Sequence, residues 1–412
     1  MKALRKFSVV ATGLACAFLF GCGGSGSPKT NATNPTNPTN PTNPIAAAAN
    51  NVAPITVNGG PIVNVPYPDA AFASVTVCVP GTSTCQTIDG VLVDTGSSGL
   101  RIPSDVLTIA LPQQKASSGN PVAECLQFLA SFSWGPVQTA DIQIAGEKAS
   151  SVPIHVLSDT DFKVPSGCNS VGVPANTAQE LGANGILGVG LLAQDCGPST
   201  CPASANMYYD CASSTADCQA ISESVTQQVQ NPVALFATDN NGVIVELPGV
   251  SGAEPSVSGS LVFGIGTQSN NAVGAAKVYT APQGSITTDF NNQPYPGSFI
   301  DSGSNGYFFQ DSNIPECTIN KGFYCPSSTL NLSATNQGAN NVSGTVSFSI
   351  ANADTLFSNA NDFAFDDLGG PVSSGTPANY FDWGLPFFFG RNVYVAIERA
   401  STPAGDGPYW AY

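Results

Sequence analysis

Two acidic motifs in matching surroundings constrain the fold of this 412-residue chain more than any other feature. In each motif an apolar run leads into Asp, then Thr or Ser, then Gly and Ser, and a second apolar run follows. The first motif spans residues 91–103 and contains Asp94, and the second spans residues 299–309 and contains Asp301. One Asp-(Thr/Ser)-Gly triplet is weak evidence, because so short a motif arises easily by chance. Two copies that share the preceding run, the serine and the apolar exit predict a duplicated unit with one carboxylate in each half.

The residue types around each aspartate are those that a buried carboxylate needs. A carboxylate at the end of a buried strand is costly unless hydrogen-bond donors surround it. The glycines let backbone amides approach, and Ser97 and Ser304 can donate to the outer carboxylate oxygens. If the two halves bring Asp94 and Asp301 together, like-charge repulsion makes the pair share one proton and hold a water between them. The ionised carboxylate would then act as a base on the water, while the protonated one polarises a substrate carbonyl.

The rest of the chain predicts an all-β fold. Short apolar and β-branched runs alternate with turns rich in Gly, Pro, Asn and Asp, and a few short helices are expected, for example at Ala178–Leu181 and residues 222–230. The net charge of −16 argues against binding to nucleic-acid phosphates, so we expect no nucleic-acid partner. His155 is the only histidine, which excludes a multi-histidine metal site, and its apolar neighbours are typical of a packed strand rather than of a Ser-His-Asp triad. We expect neither a metal nor a cofactor.

The first 21 residues predict a lipoprotein signal peptide. Cations precede an apolar stretch, residues 7–20, that is too short to span a bilayer comfortably. The stretch ends in Leu-Phe-Gly-Cys, which resembles the bacterial lipobox, whose cysteine, here Cys22, becomes the lipid-bearing N-terminus. Ordinary secretion with cleavage nearby is the alternative. Residues 22–54, with Gly/Ser and Asn-Pro-Thr repeats, predict an extended tether. We therefore expect a protein held in the cell envelope by palmitate-type lipid at Cys22, in the outer membrane because Gly23 rather than Asp follows.

The cysteines predict five disulfides. Processing would remove Cys16 and commit Cys22 to lipid, which leaves ten cysteines, an even number in an exported chain. Short spacings predict the local bridges Cys78–Cys85 and Cys317–Cys325. Cys125–Cys168 would complete the set, and the remaining four cysteines form a cluster with three possible pairings: Cys196, Cys201, Cys211 and Cys218. A thiolate metal site is the alternative, but the spacings are not CxxC.

The surroundings of the two motifs resemble the pepsin-like aspartic peptidases. Residues 94–104, DTGSSGLRIPS, are close to the N-lobe loop of that family, and residues 184–190, NGILGVG, resemble the segment that completes the psi-shaped loop behind it. Residues 258–266 resemble the strand that opens the C-lobe, and residues 383–395 resemble the last Gly segment and terminal strands. The order of these segments matches across residues 70–400.

This resemblance implies a bilobal, all-β pepsin-like aspartic protease fold with a central cleft. The N-terminal lobe would span residues 55–250 and the C-terminal lobe residues 251–412. Asp94 and Asp301 would be the catalytic pair, and the hydroxyls of Thr95 and Ser302 would link the two loops. The residues that support the pair would be Thr95, Gly96, Ser97, Ser302, Gly303 and Ser304, and the psi-loop residues would be Ile186, Leu187, Gly188 and Gly384.

The sequence also departs from the family's pattern. The family's flap hairpin carries a tyrosine followed by Gly-Thr-Gly, whereas the corresponding residues 126–141 lack a tyrosine and are several residues short. Trp134 is the nearest aromatic and becomes the flap candidate. Asp382 and Trp383 precede Gly384 in place of two aliphatic residues. The pattern also looks like a group of bacterial lipoproteins, a resemblance that implies no activity.

Three functional hypotheses follow. The first is a monomeric, lipid-anchored aspartic endopeptidase that hydrolyses an extended peptide or protein substrate with water activated between Asp94 and Asp301. The alternative is a non-catalytic lipoprotein that keeps the fold and holds a peptide or glycan in the cleft. A purely structural surface protein with coincidental acidic turns is the third. The two complete acidic loops favour the first hypothesis, and the short flap favours the second.

Overall fold

Strands form most of the regular secondary structure of the residues that the structure describes, as the sequence predicted. The structure is a computed structural model and describes residues 45–129, 131–170, 172–372 and 379–412. The first strands are β1 Val52–Val57, β2 Ala71–Cys78, β3 Cys85–Asp94, β4 Ser98–Pro103, β5 Val122–Gln127, β6 Ser131–Ile144, β7 Glu147–Leu157, β8 Val173–Pro174, β9 Ile186–Val189, β10 Tyr208–Asp210, β11 Gln219–Ala220, β12 Gly242–Leu247, β13 Ala253–Glu254 and β14 Val257–Phe263. The later strands are β15 Val278–Thr280, β16 Ile286–Phe290, β17 Gln293–Ile300, β18 Tyr307–Phe308, β19 Leu330–Gln337, β20 Ser343–Ile350, β21 Ala364–Phe365, β22 Gly369–Gly370, β23 Asp382–Trp383, β24 Arg391–Ala396, β25 Ser401–Thr402, β26 Gly405–Asp406 and β27 Tyr409–Ala411.

The α-helices of the described residues are both four residues long, α1 Ala178–Leu181 and α2 Ala353–Leu356. α1 lies where the sequence predicted a helix, and Thr177 and Glu180 cap it reciprocally. The helix expected over residues 222–230 is wrong, since that segment forms turns. One of its backbone amides, that of Val229, donates to the Tyr208 hydroxyl at 2.7 Å rather than to a preceding carbonyl of the segment.

One large sheet connects the two halves of the chain. Its strands follow the order β11-β10-β5-β6-β7-β4-β9-β3-β2-β1-β14-β12-β24-β27-β15. β1 is the link, because it pairs antiparallel with β2 on one side and with β14 on the other, where Val52 lies opposite Val262. β1 begins at Val52, which is three residues before residue 55, the predicted start of the N-terminal lobe. The predicted lobe boundary at residue 250 stays a prediction.

A second sheet, in the order β20-β19-β16-β17-β23-β18-β22, belongs to the second half and carries an aromatic core. The ring of Phe381 stacks on Phe309 with centroids 4.6 Å apart and on Trp383 at 4.3 Å. Phe348 meets Phe381 and Trp383 edge-on. Such ring contacts stabilise beyond the area that they bury, so they hold β23 firmly beside the second acidic loop.

The prediction of five disulfides is confirmed. The pairs are Cys78–Cys85, Cys125–Cys168, Cys196–Cys201, Cys211–Cys218 and Cys317–Cys325. The structure therefore chooses one of the three pairings that the sequence left open for the clustered cysteines. Each bridge restricts the unfolded chain, and removing one typically costs about 2–5 kcal/mol in a small exported domain.

The predicted signal peptide and Cys22 lie outside the described residues, as does the tether as far as residue 44. The chain joins the fold at Ala46, whose amide donates to Glu246 Oε2 on β12 at 2.6 Å. Within the described ranges, no helix has the length and apolar character needed to cross a membrane. Lipid anchoring at Cys22 stays a prediction.

Candidate active site

The first acidic loop lies between strands that pair in an unusual way. Asp94 is the last residue of β3, and β3 runs parallel to β9 with Asp94 opposite Gly188. After the loop, β4 returns antiparallel to the same strand. Glycine is required at position 188, because a Cβ there would lie 2.8 Å from the backbone of Ser98. The other psi-loop candidates of this half, Ile186 and Leu187, are fully buried on β9.

The second acidic loop repeats this arrangement. β17 ends at Ile300, next to Asp301, and runs parallel to β23 with Ile300 opposite Trp383. β18 then pairs antiparallel with the same strand. A Cβ on Gly384 would lie 2.2 Å from the carbonyl oxygen of Gly306, so glycine is required here as well. The two halves thus present their aspartates in the same local structure.

Two hydroxyls join the acidic loops of the two halves. The Thr95 hydroxyl donates to the Ile300 carbonyl at 3.0 Å and accepts from the Ser302 amide at 2.9 Å. The Ser302 hydroxyl reciprocates, since it donates to the Val93 carbonyl at 2.7 Å and accepts from the Thr95 amide at 3.1 Å. Both side chains are buried. These four bonds fix the distance and orientation of one loop relative to the other.

Each carboxylate receives an equivalent pair of donors from its own loop. The donors are the Gly96 amide (2.8 Å) and the Ser97 hydroxyl for Asp94, and the Gly303 amide (2.7 Å) and the Ser304 hydroxyl (2.8 Å) for Asp301. Charge-assisted bonds of this kind are stronger than neutral ones. They hold both carboxyl groups in fixed rotamers.

The two carboxyl groups lie beside each other, because each loop packs its glycine against the other aspartate. A Cβ on Gly96 would lie 2.5 Å from Asp301 Cγ, and a Cβ on Gly303 would lie 2.7 Å from Asp94 Cγ. Asp301 is also a hydrogen-bonding neighbour of Asp94. Burial raises the pKa of Asp301 well above its usual range, and the Asp94 carboxylate raises it further. The pair therefore retains a proton above the usual range of a carboxyl, and the exposed Gly96 leaves it open to solvent on that side.

A tyrosine that no sequence motif indicates lies next to the pair. The Tyr67 hydroxyl donates to the carbonyl of Gly303 at 3.4 Å, and its ring meets Phe72 edge-on. Burial raises the pKa of Tyr67 well above its usual range, and the charges of Asp94 and Asp301 add to the rise. Tyr67 is therefore a neutral donor next to the pair. It lies in the loop between β1 and β2, in no recognisable motif, and only its Pro-Tyr-Pro-Asp setting marks it.

Trp134 does not cover the site, so its prediction as the flap aromatic is wrong. It is fully buried on β6, its indole donates to the Phe162 carbonyl at 3.0 Å, and its ring meets Tyr209 edge-on. The physical reason is strand alternation, which turns this side chain into the core behind the hairpin. The tip of the β5–β6 hairpin instead carries Phe128, packed on the N-terminal half, and Leu129, packed on an apolar cluster of the C-terminal half.

A buried ionic network supports the strand that leaves the first loop. Arg101 on β4 lies 3.2 Å from Glu124 Oε1 and 3.1 Å from Asp195 Oδ2. Nδ1 of His155 lies 3.1 Å from Glu124 Oε2, and burial, together with Arg101, lowers the pKa of His155, so its ring is neutral. The Tyr208 hydroxyl donates to Asp195 at 2.6 Å. Removing one member would leave an uncompensated buried charge, so the network fixes β4 against the hairpin strand β5.

One group of side chains among the described residues has the spacing of a metal site, and it lies outside this site. It consists of Cys317, Cys325 and Asp354. The two cysteines are joined in a disulfide, which leaves no thiolate to bind a metal. The expectation of no metal and no cofactor stays a prediction.

The two sheets and the paired acidic loops define a bilobal, all-β pepsin-like aspartic protease fold, as the sequence predicted. The chain belongs to the family described as "Protein of unknown function (DUF3443)", whose sequence model matches residues 47–412. Among solved structures, it is similar to the crystal structure of an aspartic proteinase from Irpex lacteus, with a TM-score of 0.48 and 15% identity over 87% of this chain and 96% of that chain. No curated protein matches this chain.

Proposed function

We propose that this protein is an aspartic endopeptidase that hydrolyses an extended peptide or protein with a water held between Asp94 and Asp301. The observation that carries the proposal is the pair of adjacent carboxyls, each held by an equivalent set of donors on two interleaved loops. A protein that uses its cleft only for binding has no chemical need for two such carboxyls in contact.

The proposed reaction assigns opposite roles to the two carboxyls. In the first step Asp94 accepts a proton from the water, the water oxygen bonds to the peptide carbonyl carbon, and Asp301 gives its proton to the carbonyl oxygen. In the second step the C–N bond breaks, the nitrogen takes the proton from Asp94, and one hydroxyl of the diol returns a proton to Asp301. The pair ends with the single shared proton with which it began.

The pH dependence follows from the shared proton. Burial and the neighbouring carboxylate raise the pKa of Asp301, so the pair keeps its proton from acid toward neutral pH. Cleavage should be best in acid and fall as rising pH removes that proton. The pH at which activity is lost would give an apparent pKa of the pair, and not the pKa of either aspartate alone.

We also propose that the protein acts as a monomer in the cell envelope, attached to the outer membrane through lipid on Cys22. The support is the lipobox-like sequence and the repeated Asn-Pro-Thr segment that follows it. If residues 22–45 are extended as in polyproline II, they reach about 70 Å. Such a tether would let the cleft meet substrates away from the membrane surface.

The test is cleavage of a peptide library from pH 3 to pH 7 by the purified protein, by Asp94→Asn and by a matched control. Asp94→Asn keeps the size of the side chain and some of its hydrogen bonds but cannot accept the proton of the water, so cleavage should disappear. Asp289→Asn, at an exposed position on β16, should cleave like the wild type.

Cleavage by Asp94→Asn at a rate near that of the wild type, or a wild-type optimum above pH 8, would contradict the proposal. If the wild type cleaves nothing at any pH, the non-catalytic peptide- or glycan-binding lipoprotein becomes the better explanation. Binding of library peptides without turnover would then support that alternative.

A further inference from the structure

Arg101 is a cation in a place where burial makes a cation costly. It lies on β4, the strand that leaves the first acidic loop, and it is fully buried, as are its neighbours Leu100 and Ile102. Buried carboxylates compensate its charge, yet such a network is often no more stabilising than apolar side chains of similar volume. Stability alone therefore does not explain why this strand carries an arginine.

The two amino groups of the Arg101 guanidinium have different partners. Nη2 binds the acids of the network, since it lies 3.2 Å from Glu124 Oε1 and 3.1 Å from Asp195 Oδ2. Nη1 donates to the backbone of the first acidic loop, to the Ser98 carbonyl at 2.8 Å and to the Gly99 carbonyl at 3.3 Å. A Cβ on Gly99 would lie 3.4 Å from Nη1, so the guanidinium packs directly against this backbone. The network therefore binds the loop itself and not only the strand that leaves it.

Ser98 and Gly99 directly follow the residue that holds Asp94. The Ser97 hydroxyl donates to Asp94 Oδ2, and the Ser97 carbonyl accepts from the Gly190 amide at 2.8 Å. A carbonyl that accepts from a charged donor is held more firmly than one that accepts from a neutral donor. The arginine therefore fixes the path of the chain on the side of the loop where Ser97 meets the carboxylate.

The second acidic loop is held in a different way. The register of β18 on β23 places Phe308 where the register of β4 on β9 places Arg101, and a phenyl ring has no hydrogen to donate to a carbonyl. Phe308 packs instead in an apolar cluster of the second half. The Gly303 carbonyl of this loop accepts from the neutral hydroxyl of Tyr67 at 3.4 Å. Arg101 thus gives the first loop a charged donor, and the aspartate of this loop is the base in the proposed reaction.

We propose that Arg101 is a positioning residue for the proposed reaction. It holds the first acidic loop so that the Gly96 amide and the Ser97 hydroxyl keep their bonds to Asp94 while Asp94 accepts the proton of the water. Its contact with Glu124 joins this geometry to the hairpin strand β5. The proposal deepens the proposed function and rests on it, because it names a residue that places the base without touching the substrate.

The test separates positioning from charge compensation. Arg101→Met alone would leave two buried acids without their cation and would destabilise the fold whatever the role of Arg101. The informative variant therefore removes all three charges in one chain, as Arg101→Met, Glu124→Gln and Asp195→Asn. The new side chains have similar volumes and leave no buried charge unpaired, so the fold should be retained. This triple variant lacks the donor to the Ser98 and Gly99 carbonyls.

Hydrogen–deuterium exchange of the purified protein, measured by mass spectrometry, reports on the loop directly and needs no cleavage. In the triple variant, exchange in residues 94–104 should rise by about tenfold, the size expected for one or two lost hydrogen bonds, and exchange in residues 301–309 should stay as in the wild type. Asp289→Asn, at an exposed position on β16, is the control and should change neither segment. In cleavage assays, kcat of the triple variant should fall about tenfold while KM changes by less than about twofold, because the loop places the base and not the peptide.

Three results would overturn the proposal. Exchange in residues 94–104 that stays at the wild-type rate in the folded triple variant would mean that the network acts through its charges alone. An equal rise in both segments would show a general loss of stability, and a rise in residues 94–104 without a fall in kcat would show that the loop does not place the base.

If the triple variant does not fold, Arg101→Lys decides by the same exchange measurement. Lysine keeps the charge, but its single ammonium cannot serve the acids and the loop carbonyls together, so exchange should again rise in residues 94–104 only. Unchanged exchange in this variant would overturn the proposal. Absence of peptide cleavage by the wild type would count against the proposed function, and the exchange result would still decide whether Arg101 holds the loop.

Discussion

Replacement of Thr95 by Val tests how firmly the two acidic loops are joined. Valine has nearly the shape of threonine but no hydroxyl, so the change removes hydrogen bonds and preserves volume. The buried Thr95 hydroxyl donates to the Ile300 carbonyl at 3.0 Å and accepts from the Ser302 amide at 2.9 Å. Valine would leave the amide without this acceptor and the carbonyl without this donor, in a place that water does not reach.

Each buried group that loses its partner costs about 1–3 kcal/mol, so Thr95→Val, which leaves two such groups, should lower the free energy of unfolding by about 2–6 kcal/mol. Thr95→Ser is the matched control, because it keeps the hydroxyl and loses one methyl group, at a cost of about 1 kcal/mol. The assay is equilibrium denaturation in urea with the disulfides intact. If the two variants differed by less than about 0.5 kcal/mol, the size of an ordinary surface effect, the reasoning would be refuted.

Three further outcomes are expected. Burial, together with the nearby Asp366, raises the pKa of Asp367 to about 7. The folded protein therefore binds more protons than the unfolded chain between about pH 4 and pH 7. As a result, the free energy of unfolding falls as pH rises through that range. Asp367→Asn should flatten that fall in denaturation measured across the range, and an unchanged slope would contradict the assignment. Tyr67→Phe should cost only about 0.5–1.5 kcal/mol of unfolding free energy, for the bond to Gly303, whereas Tyr67→Ala should cost about 3–5 kcal/mol because ring packing is lost. Equal losses in these two variants would show that the ring is not packed as described. Cys22→Ser should release the protein from membranes or leave an uncleaved precursor, and unchanged fractionation together with unchanged processing would remove the lipid-anchor proposal.

The features that could be predicted from the sequence are those whose chemistry is local. Asp94 and its donor Ser97 lie three residues apart, so a short loop with a glycine between them brings the hydroxyl to the carboxylate. Asn291 and Asn292, which both adopt the left-handed conformation, form the turn between β16 and β17 that an Asn-Asn pair favours. The psi-loop glycines were predicted through the resemblance to the pepsin-like family, and the structure supplies the physical reason, because backbone atoms of the neighbouring chain lie where a Cβ would be.

The features that could not be predicted depend on contacts between distant residues. Tyr67 and Gly303 are 236 residues apart, and no pattern near either one indicates the other. Arg101 and Glu124 both fall in apolar runs, where the sequence gives no sign that the two charges compensate each other. Trp134 shows the limit of strand alternation: the pattern predicts that the side chain is buried, but not which side of the hairpin it faces.

A duplicated site gives no reason, by itself, for a proton to favour one carboxyl. The loops around Asp94 and Asp301 have equivalent donors, equivalent glycines and reciprocal hydroxyl bonds, so any preference must come from outside them. The surroundings of the two loops do differ. The second half places the carboxyl of Asp382 where the first half has Ile186, and Tyr67 binds the loop that follows Asp301. For the proposed reaction, which needs one acid and one base, these differences between the halves supply an asymmetry that the two loops themselves lack.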